Sequence, residues 1–154
     1  MSYWDTSGLV KLYAAEVDSD QFASHAASSW HSLIVADITR LELWVTLRRK
    51  EAEGFLASGQ AKIRLDRFDR DVERGDVRVV DLDASVAAQF VRITEKCFSQ
   101  NPLQFVRTFD MLHLASAQVA GVAELVTTDK RLREAALLMG FTLFPPPSPQ
   151  LPAT

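Results

Sequence analysis

Along residues 1–144, short apolar runs alternate with stretches in which apolar residues recur every three to four positions. That is the signature of strands alternating with amphipathic helices. Tyr3-Trp4 closes a short first strand. Helices are expected over Ser7 to Val17, with Leu9, Val10, Leu12 and Tyr13 as the apolar residues, and over Ser19 to Ala27. Ser32 to Ala36 is a brief apolar strand, followed by helical spacing from Asp37 to Glu53 and a break at Gly54 and Gly59. Ala61 to Arg74 is a charged amphipathic helix, with Gly75 placed to end it. The β-branched run Val77 to Leu82 is a strand. Helices follow over Ala84 to Phe98 and Phe105 to Ala120, the second stopped by Gly121. Glu124 to Thr127 is a strand, Lys130 to Met139 a helix stopped by Gly140, and Phe141 to Phe144 a last strand.

Strands separated by helical crossovers predict an α/β chain with a mostly parallel sheet covered on both faces. The expected domain spans 1–144. Pro145, Pro146, Pro147, Pro149 and Pro152 then fill a tail over 145–154 that excludes regular helix and central strand. Ligands of parallel sheets sit beyond the carboxyl ends of the strands, which directs attention to residues that immediately follow strands.

Asp5 follows the first strand and Asp129 follows the strand Leu125-Val126-Thr127. Asp110 opens a helix with no acidic or basic residue other than His113 from Met111 to Ala123, the mark of a buried helix. Glu42 falls on the helical arc of Ile38, Leu41 and Val45, where an acid is costly to bury unless it is paired or binds a cation. Each has an ordinary explanation alone. Asp5 and Asp129 suit helix N-caps, Asp110 suits a positive helix terminus, and Glu42 can reach solvent or pair with Arg49. Together, the four can converge on one crevice. Clustered carboxylates repel and hold protons at neutral pH. A divalent cation relieves that repulsion, and hard oxygen ligands suit magnesium or manganese. Such a metal activates water and orients a phosphodiester without a histidine base or cysteine nucleophile.

Asp37, Asp81 and Asp83 are set aside, Asp37 and Asp83 as helix caps and Asp81 as a strand residue alternating with valines. The interleaved charges of Lys62 to Arg74 read as a solvated face. Arg48-Arg49-Lys50 lies about two turns beyond Glu42, where Arg49 is a candidate phosphate contact. Lys11, one turn past Ser7, can reach the same crevice. His113 reads as a packed or hydrogen-bonded histidine, and Trp4, Trp30 and Trp44 as packing residues before base-stacking ones.

The net charge of −3 counts against a nucleic-acid partner, although clustered basic residues or bound cations can offset it. Cys97 is the sole cysteine, which excludes an internal disulfide and a cysteine-based zinc site. No apolar run approaches the roughly 20 residues of a membrane span. Met1 to Asp5 has no signal-like character, so a cytoplasmic location is expected.

Four segments resemble the PIN domains, most closely the VapC-like toxins: Trp4-Asp5-Thr6-Ser7-Gly8-Leu9-Val10-Lys11-Leu12-Tyr13, Ile38-Thr39-Arg40-Leu41-Glu42-Leu43, Phe109 to Ala117, and Val126-Thr127-Thr128-Asp129-Lys130-Arg131-Leu132. The resemblance implies a three-layer α/β/α sandwich and a magnesium- or manganese-dependent endoribonuclease acting on RNA. It further implies an antitoxin partner and a homodimer. Asp5, Glu42, Asp110 and Asp129 become the acidic set, and Ser7 takes a position near metal or substrate. Glu51 to Gly59 and the proline tail carry no family signal. Alternative readings are an RNA-processing nuclease without an antitoxin, a protein-binding scaffold, and a phosphoacceptor module. The last wants a second acid beside Asp5, where Thr6 stands.

Overall fold

The computed structural model describes residues 1–28 and 31–147. It contains β1 (Ser2–Trp4), α1 (Thr6–Tyr13), α2 (Ser19–Ser28), β2 (Leu33–Ala36), α3 (Thr39–Ala52), α4 (Gln60–Glu73), β3 (Val77–Val80), α5 (Ala84–Phe98), α6 (Thr108–Val119), β4 (Glu124–Val126), α7 (Lys130–Leu138) and β5 (Thr142–Phe144). The strands form one wholly parallel sheet in the order β3-β2-β1-β4-β5.

Because successive strand side chains point to opposite faces, each strand serves two cores. Tyr3, Ile34, Leu125 and Leu143 pack beneath α5, α6 and α7, among Ile93, Leu114 and Leu132. Their neighbours Trp4, Val35, Val126 and Phe144 face α1 to α4, among Leu9, Phe22, Leu43 and Phe68. The result is the expected three-layer α/β/α sandwich. The chain runs outward from β1 to β2 and β3, then returns to the other side of β1 as β4. The β1–β4 junction is therefore the switch point where such sheets open a crevice. At that junction α1 lies directly on β4: a Cβ at Gly8 would stand 2.8 Å from the Val126 carbonyl oxygen. Only glycine lets the helix come this close.

Three elements differ from the sequence expectation. The first helix stops at Tyr13 instead of reaching Val17, because Ala14 turns extended at φ −137°, ψ 119°. Lys11 Nζ draws the following loop back by pairing with Glu16 and Asp18, both at 2.6 Å. The central helix begins at Thr108, three residues later than expected. Asp37 is no cap: the residue preceding α3 is Ile38, with no side-chain hydrogen bond, and Asp37 donates its N–H to the Val80 carbonyl. Asp83 does cap α5, accepting from the Ser85 and Val86 amides. Gly75, at φ +79°, ends α4 as its position predicts. Trp30 and residues 148–154 of the proline tail lie outside the described residues. Pro145 is fixed by Arg133, whose guanidinium donates to its carbonyl at 2.7 Å.

Candidate active site

Beyond the carboxyl ends of β1 and β4 lies a cavity of about 570 Å³, and its walls include Asp5, Ser7, Lys11, Glu42, Arg49, Asp110 and Asp129. Every residue singled out in the sequence reaches this one space, in different states.

Asp5 is buried at the start of α1. Its Oδ1 accepts from the Gly8 amide at 2.9 Å and the Ser7 hydroxyl at 2.8 Å, and its Oδ2 accepts from the Thr127 hydroxyl at 2.8 Å. Burial pushes its carboxyl above the usual range, against the lowering effects of the nearby His113 ring and these donors. Thr127 Oγ1 also accepts the Asp129 amide at 3.1 Å, and Ser7 Oγ accepts the Thr128 amide at 2.9 Å. The two strand ends are thus tied to each other by Ser7 on the cavity wall and by the buried Thr127 beneath it.

Asp129 caps α7 through Oδ1, which accepts from the Arg131 and Leu132 amides at 2.9 and 3.0 Å. Its other oxygen faces the Arg107 guanidinium at 3.5 Å. The capping role expected of an isolated Asp is real here, and it leaves one oxygen for the cavity. Asp110, in the first turn of α6, has a buried Oδ2 with no hydrogen-bond partner among the described residues. Arg107 Nε approaches that atom only to 3.7 Å. Burial first, then repulsion from Asp129, raises the Asp110 carboxyl above its ordinary value.

Of the helical arc that singled out Glu42, Ile38 is buried but the two members within α3 do not face the core. Leu41 and Val45 are 64% and 63% exposed, and the buried side of α3 is Thr39, Leu43 and Leu47. Glu42 is half-buried for another reason. Its Oε2 accepts from the Thr6 hydroxyl and from His113 Nε2, the latter at 2.8 Å, and does not pair with Arg49. Burial alone would raise its carboxyl, but His113 and Thr6 outweigh that and hold it below its ordinary value. His113 Nδ1 meets the buried Tyr3 hydroxyl at 2.7 Å, so a chain of hydrogen bonds runs from the sheet to the cavity wall. The expectation of a hydrogen-bonded histidine holds, with Glu42 as the partner.

Lys11 is committed to Glu16 and Asp18, and Lys50 to Glu16 at 2.7 Å. Arg49 is exposed on the wall, with no ion pair among the described residues. Four participants were not picked out from the sequence: Thr6, Thr127, Arg107 and the Tyr3 end of the histidine chain. Thr127 carried the best clue, a polar β-branched residue between an apolar strand and Thr128-Asp129.

A hard divalent cation suits this donor set. The oxygens not fully engaged are carboxylate oxygens of Asp110 and Asp129 and the second oxygen of Glu42, whose hydrogen bonds both fall on Oε2, and the Asp110 oxygen is a buried acceptor without a donor among the described residues, a costly state that a cation relieves. Among the described residues, no three His, Cys, Asp or Glu side chains form a ready metal cluster. Asp5 is turned to its own helix, Glu42 to His113, and Arg107 stands between the other two.

The model of the PIN domain matches residues 2–138. This chain belongs to the PIN domain family. Ribonuclease VapC35 of Mycobacterium tuberculosis is 32% identical over 95% of this chain and 97% of its own length. Ribonuclease VapC46 of the same organism is 30% identical over 94% of this chain and 96% of its own length. Among solved structures, the sarcin-ricin-loop-cleaving toxin VapC20 of Mycobacterium tuberculosis superposes with a TM-score of 0.65 at 15% identity, covering 88% of this chain and 95% of that one. VapBC2 of Rickettsia felis, bound to a fragment of promoter DNA, gives 0.64 at 18% identity, covering 93% and 97%. These structures share the fold seen here. Among the described residues, no helix of this PIN domain is long and apolar enough to cross a membrane.

Proposed function

We propose that this PIN domain is a divalent-metal-dependent endoribonuclease, the toxin of a toxin–antitoxin pair, with Asp5, Glu42, Asp110 and Asp129 as its acidic set. The observation that carries the reading is the unpaired buried oxygen of Asp110 beside Asp129, in a cavity at the sheet's switch point that all four acids line. The relatives' description as VapC ribonucleases supports the substrate class. One structural neighbour is a toxin–antitoxin complex from Klebsiella pneumoniae, which supports a protein antitoxin as partner. A second copy of the chain is the other expected partner.

Asp110 and Asp129 would hold the cation, with Asp5 and Glu42 completing the negative wall. Magnesium or manganese bound there supplies an activated water and neutralises charge on the phosphodiester. Thr6 and His113 fix the direction of Glu42, and Ser7 and Thr127 fix that of Asp5. Arg49, exposed on the rim, would meet a substrate phosphate, whereas Lys11 is paired with Glu16 and Asp18 and shapes the wall.

The test is cleavage of structured and single-stranded RNAs by the purified protein. Cleavage with magnesium or manganese that EDTA stops is the expected result. Cleavage indifferent to EDTA would refute the metal, and no cleavage of any RNA with either metal would refute the ribonuclease.

A further inference from the structure

Arg107 precedes α6 with an extended backbone, and its carbonyl is anchored by the Met111 amide at 2.9 Å. Its side chain is 64% exposed, yet the guanidinium reaches Asp110 Oδ2 at 3.7 Å and Asp129 Oδ2 at 3.5 Å. A locked arginine looks different in the same molecule: Arg40 grips Asp69 through two bonds of 2.7 and 2.8 Å, the usual length of a charge-assisted pair. Arg107 neutralises two carboxylates without being held by either. Nor does it satisfy the buried Asp110 oxygen, which stays without a hydrogen bond.

We infer that Arg107 is an internal counter-ion: it stands between Asp110 and Asp129 in the metal-free protein, is displaced when a divalent cation binds them, and then contacts an RNA phosphate at the cavity rim. The inference rests on the proposed metal-dependent ribonuclease. Its physical basis is that a divalent cation and a guanidinium compete for the same two oxygens, since direct ligands lie roughly 2.0–2.6 Å from the ion. A backbone anchored at α6 with a largely exposed side chain lets the guanidinium leave without disturbing the helix. A planar fork of donors then suits a phosphate.

Calorimetric titration of manganese into EDTA-stripped wild type, Arg107→Gln and Arg107→Lys tests the first half, and RNA cleavage kinetics at saturating manganese test the second. Arg107→Gln should bind manganese about two- to five-fold more tightly, the scale of a lost exposed ion pair, while Arg107→Lys stays near wild type. Arg107→Gln should also raise KM for RNA several-fold with kcat nearly unchanged. Manganese affinity that is equal or weaker in Arg107→Gln would overturn the counter-ion role, and an unchanged KM would overturn the phosphate contact. If the wild type itself neither binds manganese nor cuts RNA, the ribonuclease reading falls and this inference falls with it. If the wild type does both and Arg107→Gln matches it, only Arg107's role is lost.

Discussion

Asp110→Asn is expected to lower RNA cleavage by roughly 10²–10³-fold or more, the scale of losing one well-placed charge-stabilising group, while leaving the fold intact. Asp110 is an unsatisfied acid among the described residues. Its Oδ2 is buried and, among the described residues, accepts no hydrogen bond, while the hydrogen bond from the Arg107 amide at the start of α6, which lowers its carboxyl, can be accepted by an asparagine oxygen as well. Burial and the nearby Asp129 raise its carboxyl, so at neutral pH the ionised side chain weighs against folding. Linkage fixes the sign. A carboxyl raised in the folded state imposes no such burden below the ordinary carboxylate range, and the burden grows as pH rises through its folded value. Metal-free Asp110→Asn should therefore melt at or above the wild-type temperature at neutral pH. That advantage should fade as pH falls and the wild-type carboxyl takes up its proton. Thermal melts in EDTA across pH check this. Activity within a few-fold of wild type would remove Asp110 from the site.

Asp5→Ala should also abolish cleavage, but here the fold pays as well. Asp5 caps α1 and is the common acceptor of the Gly8 amide and the Ser7 and Thr127 hydroxyls. Losing a cap costs about 0.5–2 kcal/mol, and each buried donor left unpaired costs about 1–3 kcal/mol. Relief of the buried charge offsets part of this, and a net loss of about 2 kcal/mol is expected. The loss reads as a lower urea midpoint than that of Asp110→Asn. A variant as stable as wild type would contradict the shared network between β1 and β4. The contrast separates two acids that the sequence presents as equivalent.

The layers and the strand-end positions of Asp5 and Asp129 were legible because both depend on local pattern. Period-two alternation put Tyr3 and Trp4 on opposite faces, and the strand-end positions of Asp5 and Asp129 follow from sheet topology. Glu42 was picked out by an arc whose Leu41 and Val45 turn to solvent. What places Glu42 in the cavity is a hydrogen bond to His113, 71 residues away, and no helical wheel contains such a contact. Arg107 escaped notice because it fell inside the helix expected over Phe105 to Ala120, whereas it precedes α6 in the structure, and its meaning comes from the two acids that folding brings beside it. The extra turn expected of α1 failed because the Lys11 pairing with Glu16 and Asp18 competes with helix continuation.

The central claim is that these carboxylates share one divalent cation, and the most direct measurement is anomalous diffraction from a crystal soaked in manganese. The account predicts a single strong peak within roughly 2.0–2.6 Å of carboxylate oxygens of Asp110 and Asp129, with Arg107 moved away from both. A soaked crystal with no metal between them and the Asp5, Asp110 and Asp129 carboxylates more than about 8 Å apart, several times a direct metal–oxygen distance, would contradict it.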